Sequence, residues 1–169
     1  WSRLVTHSDD DWLIVHGVHL PDDHGLRGTL VHNPRSNMNN SVGYARPSRL
    51  GLPVALGTDG IGADMLEEFR LAYVAARAED VTADPALPWS WLGVGWDLMP
   101  AALDDEVCWA AESDDPWHLA FTTGVSPLEA AREGEVIWDG EPTLVDGDEI
   151  RAKATEAAAK LHARLGDIE

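Results

Sequence analysis

The stretch PVALGTDGIGADMLEEF, residues 53–69, carries the pattern that decides the fold. An apolar run is followed by a glycine-rich turn and then by apolar residues at helical spacing. Asp64 can cap the helix, and Glu67 follows three residues later, as in a capping box. The segment therefore predicts a buried strand that ends near Asp59, a turn, and an amphipathic helix.

Two further apolar runs precede this segment, LIVHGV (13–18) and TLVH (29–32). All three runs are nearly continuous rather than alternating, which is typical of parallel strands covered on both faces. The chemistry of α/β folds lies at the carboxyl ends of parallel strands. We therefore expect the polar residues at or near these ends, His16, His32 and Asp59, to converge.

Composition excludes several classes of function. The 169 residues suffice for one ordinary domain, and 44% of them are apolar. The net charge of −18 repels phosphate backbones and anionic lipid, so neither nucleic acid nor a membrane is an expected partner. No apolar run reaches the length of a membrane span, and no leader opens the chain, which predicts a cytoplasmic protein. The sole cysteine, Cys108, cannot form an internal disulfide and predicts an ordinary buried or half-buried residue.

The chain after residue 80 gives weaker signals. Residues 81–88 predict a loop, 89–99 a short helix or compact turn that packs its tryptophans, and 117–123 a strand or extended segment. An Asp-Gly pair within GEVIWDGEPT (134–143) predicts a hairpin. The tail from 148 to 166 predicts a terminal helix. Its apolar face comprises Ile150, Ala154, Ala157, Leu161 and Leu165.

The residues alone allow two interpretations of His16, His32 and Asp59. Imidazole and carboxylate are ligands that zinc takes, and a carboxylate beside a metal-bound water can accept its proton. A histidine at a strand end is, however, more often a hydrogen-bonded core or cap residue, and Thr-Asp-Gly is a common turn. Residue types and spacing leave both interpretations open.

Three motifs in this order resemble the C-terminal part of the amidohydrolase superfamily: HGVHL (16–20), HNPRSNMNNSVG (32–43) and PVALGTDGIGADM (53–65). The similarity is to its chlorohydrolase and aminohydrolase branch, which includes guanine and triazine deaminases. The asparagine-rich loop is most similar to that of the SsnA-type aminohydrolases. The ending EVIWDGEPTLVDGDEIRAKA is similar to the closing hairpin and helix of the family.

The resemblance implies an α/β fold in two parts. Residues 1–115 would form strands six to eight of a metal-dependent (β/α)8 barrel, and residues 116–169 the end of a small β-sandwich with a C-terminal helix. A whole barrel of this kind needs about 250 residues. Because a translated chain ordinarily begins with Met, Trp1 also predicts a piece of a longer polypeptide. We therefore expect an incomplete part of an enzyme that is inactive alone.

The resemblance also implies roles for five residues. His16 matches a histidine that lies beside the metal and hydrogen-bonds the substrate or the attacking water. Asp59 matches an aspartate that binds the metal and takes a proton from its water, so both residues are expected to be catalytic and Asp59 also a metal ligand. His32, Ser36 and Asn37 match a signature that borders the substrate pocket, and they are expected to bind substrate. The polar loop between buried strands would then be the rim of an active site.

The sequence departs from the family in two ways. The His-x-His pair of the first strand and the metal histidine of the fifth have no counterpart, since His7 and His24 lack the required spacing and strand context. The remaining ligands are therefore expected upstream of Trp1. Few residues separate His16 from His32, which predicts an abbreviated connection between the first two strands.

The expected activity of the complete enzyme is metal-dependent hydrolysis of a carbon–nitrogen bond other than a peptide bond. Deamination of a nitrogen heterocycle is the specific expectation, with Zn²⁺ as the metal and Fe²⁺ as the alternative. The expected partner is a small-molecule substrate, and the complete enzyme could be a homodimer. Two hypotheses compete: a non-catalytic binding protein that retains the amidohydrolase fold, and an unrelated small α/β binding domain. An intact upstream His-x-His pair would favour the enzyme.

Overall fold

The computed structural model describes residues 1–166 and divides into two compact units. The first unit contains Trp1–Ala101 and Glu112–Thr123, and the second contains Ala102–Ala111 and the chain from Gly124 onward. The units alternate along the sequence, whereas the resemblance predicts one boundary at residue 115. No helix among the described residues is long and apolar enough to cross a membrane.

The regular elements follow one another as an α/β alternation and then a second small sheet. In chain order they are α1 (Ser2–His7), β1 (Leu13–Val15), β2 (Thr29–His32), α2 (Pro34–Asn39), β3 (Val54–Leu56), α3 (Met65–Glu79), α4 (Ala86–Leu98), β4 (Glu106–Trp109), α5 (Pro116–Phe121), β5 (Pro127–Arg132), β6 (Glu135–Trp138) and α6 (Gly147–Gly166).

The first unit contains a three-stranded parallel sheet in the order β1-β2-β3. Leu30 of β2 pairs with Ile14 on one side and Val54 on the other. The prediction that the three apolar runs are adjacent parallel strands is confirmed. The expected abbreviated connection is confirmed as well, because residues 16–28 contain no helix.

Burial differs between the three strands. Every residue of β3 is buried, and so are three of the four in β2. The expectation of burial on both faces is wrong for β1, because it lies at the edge of the sheet, with Leu13 54% and Val15 51% exposed.

The helix α3 forms as predicted. Its N-terminus is capped by Asp64, whose Oδ1 accepts a hydrogen bond of 3.0 Å from the backbone N–H of Glu67. The buried face of α3 includes Leu66, Phe69, Ala72 and Tyr73. This face packs against α2, α4 and α5 as well as β3.

Two segments that follow α3 depart from expectation. The predicted loop 81–88 ends early, because α4 begins at Ala86 and confirms a helix over the tryptophan-rich run. The prediction of an extended segment at 117–123 is wrong, since α5 occupies most of it. Asp115 caps α5 by accepting from the N–H of Trp117 at 3.0 Å, and Pro116 occupies its first turn, where a missing N–H costs nothing.

The second unit contains an antiparallel sheet in the order β4-β5-β6, followed by α6. A turn between paired strands lies at Glu133 and Gly134, both with positive φ. The predicted Asp-Gly pair also lies in a turn, because Trp138 and Pro142 on either side of it form an isolated antiparallel bridge, and the N–H of Thr143 donates to the carbonyl oxygen of Ile137 at 3.0 Å. Cys108 on β4 is exposed, which corrects the expectation of burial.

The predicted terminal helix is confirmed as α6, which extends to Gly166. None of the described residues buries its apolar face. Ile150, Leu161 and Leu165 are 52%, 54% and 55% exposed. None of the described residues of the second unit is buried, so the core of the chain lies in the first unit.

Candidate active site

The candidate site lies at the carboxyl ends of the parallel strands in the first unit. His16 follows β1 directly, and Asp59 lies three residues after β3. The chain leaving β2 enters α2, which carries Ser36 and Asn37. The parallel order places these strand ends at one edge of the sheet.

The structure brings His16 and Asp59 together. Nε2 of His16 lies 3.6 Å from Oδ2 of Asp59, and their side chains are 39% and 43% exposed. Both residues have a positive φ, 68° at His16 and 53° at Asp59. This backbone region costs a non-glycine residue about 1 kcal/mol or more, and such strain clusters at functional sites. The pair is therefore open to a ligand and is held in an uncommon conformation.

A hydrogen bond from Ser36 fixes the position of the Asp59 carboxylate. Its fully buried hydroxyl donates a hydrogen bond of 2.6 Å to Oδ2, and the backbone N–H of Gly60 donates to Oδ1 at 2.8 Å. The hydrogen bond from Ser36, then that from Gly60, holds the pKa of Asp59 below its usual range. Asp59 is therefore a fixed negative charge at neutral pH, suited to binding a cation.

Asn37 holds the imidazole of His16. Its Oδ1 lies 2.9 Å from Nδ1 of His16, and the residue is only 2% exposed. The side-chain nitrogen of Asn33 lies farther from the same Nδ1, at 3.4 Å. Because an amide oxygen only accepts, the shorter contact requires a proton on Nδ1. Nε2 is then the atom that faces Asp59.

His32 lies in the core rather than on an open surface. Its side chain is fully buried, and neither ring nitrogen has a hydrogen-bond partner within residues 1–166. Tyr44 and Trp91 meet the ring edge-on, at centroid distances of 5.8 and 6.1 Å. Burial, with a smaller effect of His16, lowers the pKa of His32 to about 4. His32 is therefore neutral at pH 7, and its role in substrate binding stays a prediction.

A buried ion pair anchors α2 and was not anticipated from the sequence. The carboxylate of Glu68 on α3 is fully buried and accepts from Nε of Arg35 at 2.7 Å and from the Arg35 backbone N–H at 3.2 Å. Little in the sequence signalled it, because Glu68 directly follows Glu67 in the first turn of α3, where acidic residues are common. The pair fixes the rotation of α2, and with it the directions of Ser36 and Asn37.

Gly57 was also missed as a site residue. A Cβ at this position would lie 2.4 Å from Oδ1 of Asn33 and 2.8 Å from Cγ1 of Val31. Any larger residue would displace Asn33, which neighbours His16. Glycine is therefore required where β3 leaves the sheet.

An open cavity of about 440 Å³ is lined in part by His16 but not by Asp59. Its walls are mostly apolar and include Ile14, Val15, Val18, Leu20 and Val42. Asn40 is also among the lining residues. The cavity offers space for a small molecule with apolar parts.

The donor atoms fit part of a metal site. Asp59 offers an ionised carboxylate and His16 an imidazole nitrogen, both of which zinc takes as ligands. Across residues 1–166 no three His, Cys, Asp or Glu side chains come together in a group that could hold a metal ion. A zinc site needs three or four protein ligands, so these residues could supply only part of one.

Comparison with solved structures finds a protein of similar fold. The chain is similar to the crystal structure of an adenosine deaminase from Xanthomonas campestris with bound zinc, at a TM-score of 0.73 and 22% identity. The likeness covers 92% of this chain and 43% of that one. The chain therefore shares the fold of the matching part of that structure.

Sequence comparison gives more particular relatives. The chain is 31% identical over 99 residues to a 5-methylthioadenosine/S-adenosylhomocysteine deaminase of Shouchella clausii, and 38% identical over 90 residues to the protein of that name of Thermococcus sibiricus. These matches cover 52% and 46% of this chain but only 23% and 21% of the relatives, so the chain spans about a quarter of their length or less. No family model matches the chain. The comparisons support the resemblance to amidohydrolase-type deaminases, and the SsnA-type subgroup stays a prediction.

Proposed function

We propose that this chain forms part of the active site of a hydrolytic deaminase that releases ammonia from an amino-substituted nitrogen heterocycle. The observation that carries the proposal is the pair of His16 and Asp59, whose facing atoms lie 3.6 Å apart at the carboxyl edge of a parallel sheet. The similarity to proteins named as deaminases supports it.

The chemistry divides between this chain and a bound metal. A divalent metal, Zn²⁺ or alternatively Fe²⁺, would lower the pKa of water and make hydroxide available near neutral pH. Zn²⁺ is favoured because the adenosine deaminase of similar fold contains zinc. Asp59 would supply one ligand to the metal, and the other ligands would come from outside the described residues.

The two exposed side chains of the site have distinct tasks. Asp59 accepts a proton from the attacking water at a carboxylate oxygen and returns it to the leaving amino group. His16 orients the water or the heterocycle by a hydrogen bond to Nε2. Ser36 and Asn37 act on the reaction by holding these two side chains. The apolar cavity beside His16 receives the less polar part of the substrate, for which adenosine-type nucleosides are the first candidates by comparison with the relatives.

An assay of ammonia release tests the proposal. The complete protein that contains this chain is incubated with adenosine and 5-methylthioadenosine, with Zn²⁺ added or with a chelator. We expect release that depends on the metal. A protein that binds such a heterocycle yet releases no ammonia in any metal form would instead be the non-catalytic binding protein.

A further inference from the structure

Consecutive residues of α2 contact the two members of the candidate pair. Ser36 donates to Asp59 at 2.6 Å, and Asn37 accepts from His16 at 2.9 Å. Both α2 side chains are buried, with exposures of 0% and 2%. Buried side chains in a packed environment keep one rotamer, so the two contacts are held in a fixed geometry.

We propose that Asn37 is a positioning residue that holds neutral His16 in the tautomer protonated on Nδ1. The proposal deepens the proposed function and rests on it for its catalytic meaning. The amide oxygen of Asn37 has no proton to give, so its contact with Nδ1 exists only when that nitrogen carries the hydrogen. Nε2 of His16 then carries a lone pair and faces Oδ2 of Asp59.

The tautomer decides whether the pair can engage a ligand. With the proton on Nδ1, Nε2 of His16 and Oδ2 of Asp59 are two acceptors that face the same space, 3.6 Å apart. Such a space suits a molecule that donates two hydrogen bonds, as a water or an amino group does, or a cation. With the proton on Nε2, His16 would donate to Asp59 and the pair would satisfy itself. Asn37 thereby keeps both atoms available.

One contact favours the opposite tautomer. The amide nitrogen of Asn33 lies 3.4 Å from Nδ1 and would donate to it if that nitrogen were bare. This contact is longer than that of Asn37, at 2.9 Å, and near the limit of a hydrogen bond. A reversed amide at Asn37 would likewise present a donor to Nδ1. The tautomer of His16 therefore reports which arrangement the protein adopts.

Nuclear magnetic resonance of the histidine rings tests the proposal. The protein is labelled with ¹⁵N in histidine, and long-range proton–nitrogen correlations are recorded at a pH where the imidazole of His16 is neutral. Loss of one signal set in a His16→Gln variant assigns the resonances. We expect a protonated Nδ1 and a bare Nε2 in the wild type. In Asn37→Ala the ratio of the two tautomers should change at least roughly fivefold, the effect of one ordinary hydrogen bond.

Two further variants complete the design. Asn37→Asp retains the accepting oxygen and should preserve the protonated Nδ1. Asn39→Ala is the matched control, because Asn39 is exposed on the same helix and, within residues 1–166, its side chain hydrogen-bonds only to Asn40. A wild-type His16 protonated on Nε2, or an unchanged ratio in Asn37→Ala, would overturn the proposal. The wild-type spectrum decides even where a variant fails to fold, and it does not depend on whether ammonia is released.

Discussion

At the residue scale, Asp59 carries the fixed charge of the candidate site, so replacing it is the most direct test. Asp59→Asn keeps the size and one oxygen but cannot accept a proton or bring negative charge to a metal. We expect kcat for ammonia release by the complete protein to fall by at least about 10²-fold, with an unchanged circular dichroism spectrum. His16→Asn should also impair turnover strongly.

The control for Asp59 comes from α2. Asn39→Ala should leave kcat near the wild-type value, because its side chain is exposed. Asn40 is a poorer control, since its Nδ2 donates to Oγ of Ser36 at 3.2 Å and so reaches the Asp59 network. An Asp59→Asn protein that turns over at the wild-type rate with metal bound would make Asp59 a turn residue and remove the main support for a hydrolase.

His32 predicts a pH dependence of stability. Its pKa is about 4 in the folded protein and 6.5 as the ordinary value. Between these values the unfolded chain binds more protons, so the free energy of unfolding falls as the pH falls from about 6.5 to about 4. The loss attributable to His32 reaches about 3 kcal/mol at the acid end.

Urea unfolding at about pH 7 and about pH 4, on the wild type and His32→Phe, measures this effect. The variant should lose less stability on acidification than the wild type, because phenylalanine fits the edge contacts with Tyr44 and Trp91 and binds no proton. Equal losses in the two proteins would show that His32 is not the buried neutral group described above.

At the element scale, the ion pair of Arg35 with Glu68 fixes α2 to α3. Removing one partner of a buried pair leaves an uncompensated charge and typically costs about 3–5 kcal/mol. Because the Glu68 carboxylate is fully buried but Arg35 is 32% exposed to water, we expect Arg35→Ala to lower the free energy of unfolding by less than this, by about 1–3 kcal/mol. Urea unfolding measures the change.

The double variant Arg35→Met/Glu68→Met separates the ion pair from simple packing. It removes both charges and should recover much of the lost stability, because apolar replacement of a buried pair is often neutral. A double variant as unstable as Arg35→Ala would contradict this account. Arg46→Ala is a matched control: its ion pair with Glu79 is exposed on both sides and should contribute little.

The same elements show what the sequence could and could not predict. His16 and Asp59 were placed together because parallel strands of nearly continuous apolar residues fix where their ends lie. The sequence could not predict which way the side chains of Ser36 and Asn37 point. The helix α2 is short and polar, so no regularly spaced apolar residues indicate which of its faces packs inward. The rotation of α2 depends on Arg35 meeting Glu68, 33 residues away. The helix α5 was missed because the β-prone residues 117–123 outweighed Asp115 and Pro116, which cap and begin it.

At the scale of the whole molecule, the number of available ligands limits metal binding. Asp59 and His16 are two donors where a zinc site uses three or four. We expect the 169-residue chain to bind Zn²⁺ far more weakly than complete structural sites, which reach about 10–16 kcal/mol. Calorimetric titration measures this, with Asp59→Asn as the control that should abolish the remaining binding. Tight one-to-one binding by the wild type would mean that the chain contains a full ligand set.

The distribution of burial predicts where mutations will affect stability. The buried apolar residues lie in the first unit, whereas every residue of α6 after Gly147 is exposed. We expect Phe69→Ala, at a fully buried position, to cost about 3–5 kcal/mol of the free energy of unfolding.

Leu161→Ala on α6 should change that free energy by less than about 0.5 kcal/mol, because Leu161 is already 54% exposed. The sequence alone predicts no such difference, since Phe69 and Leu161 both belong to apolar helix faces at regular spacing. Urea unfolding of both variants under one set of conditions decides between them. If Leu161→Ala proved as costly as a core truncation, the apolar face of α6 would be buried in solution, and the exposure seen in this chain would not describe its stable form.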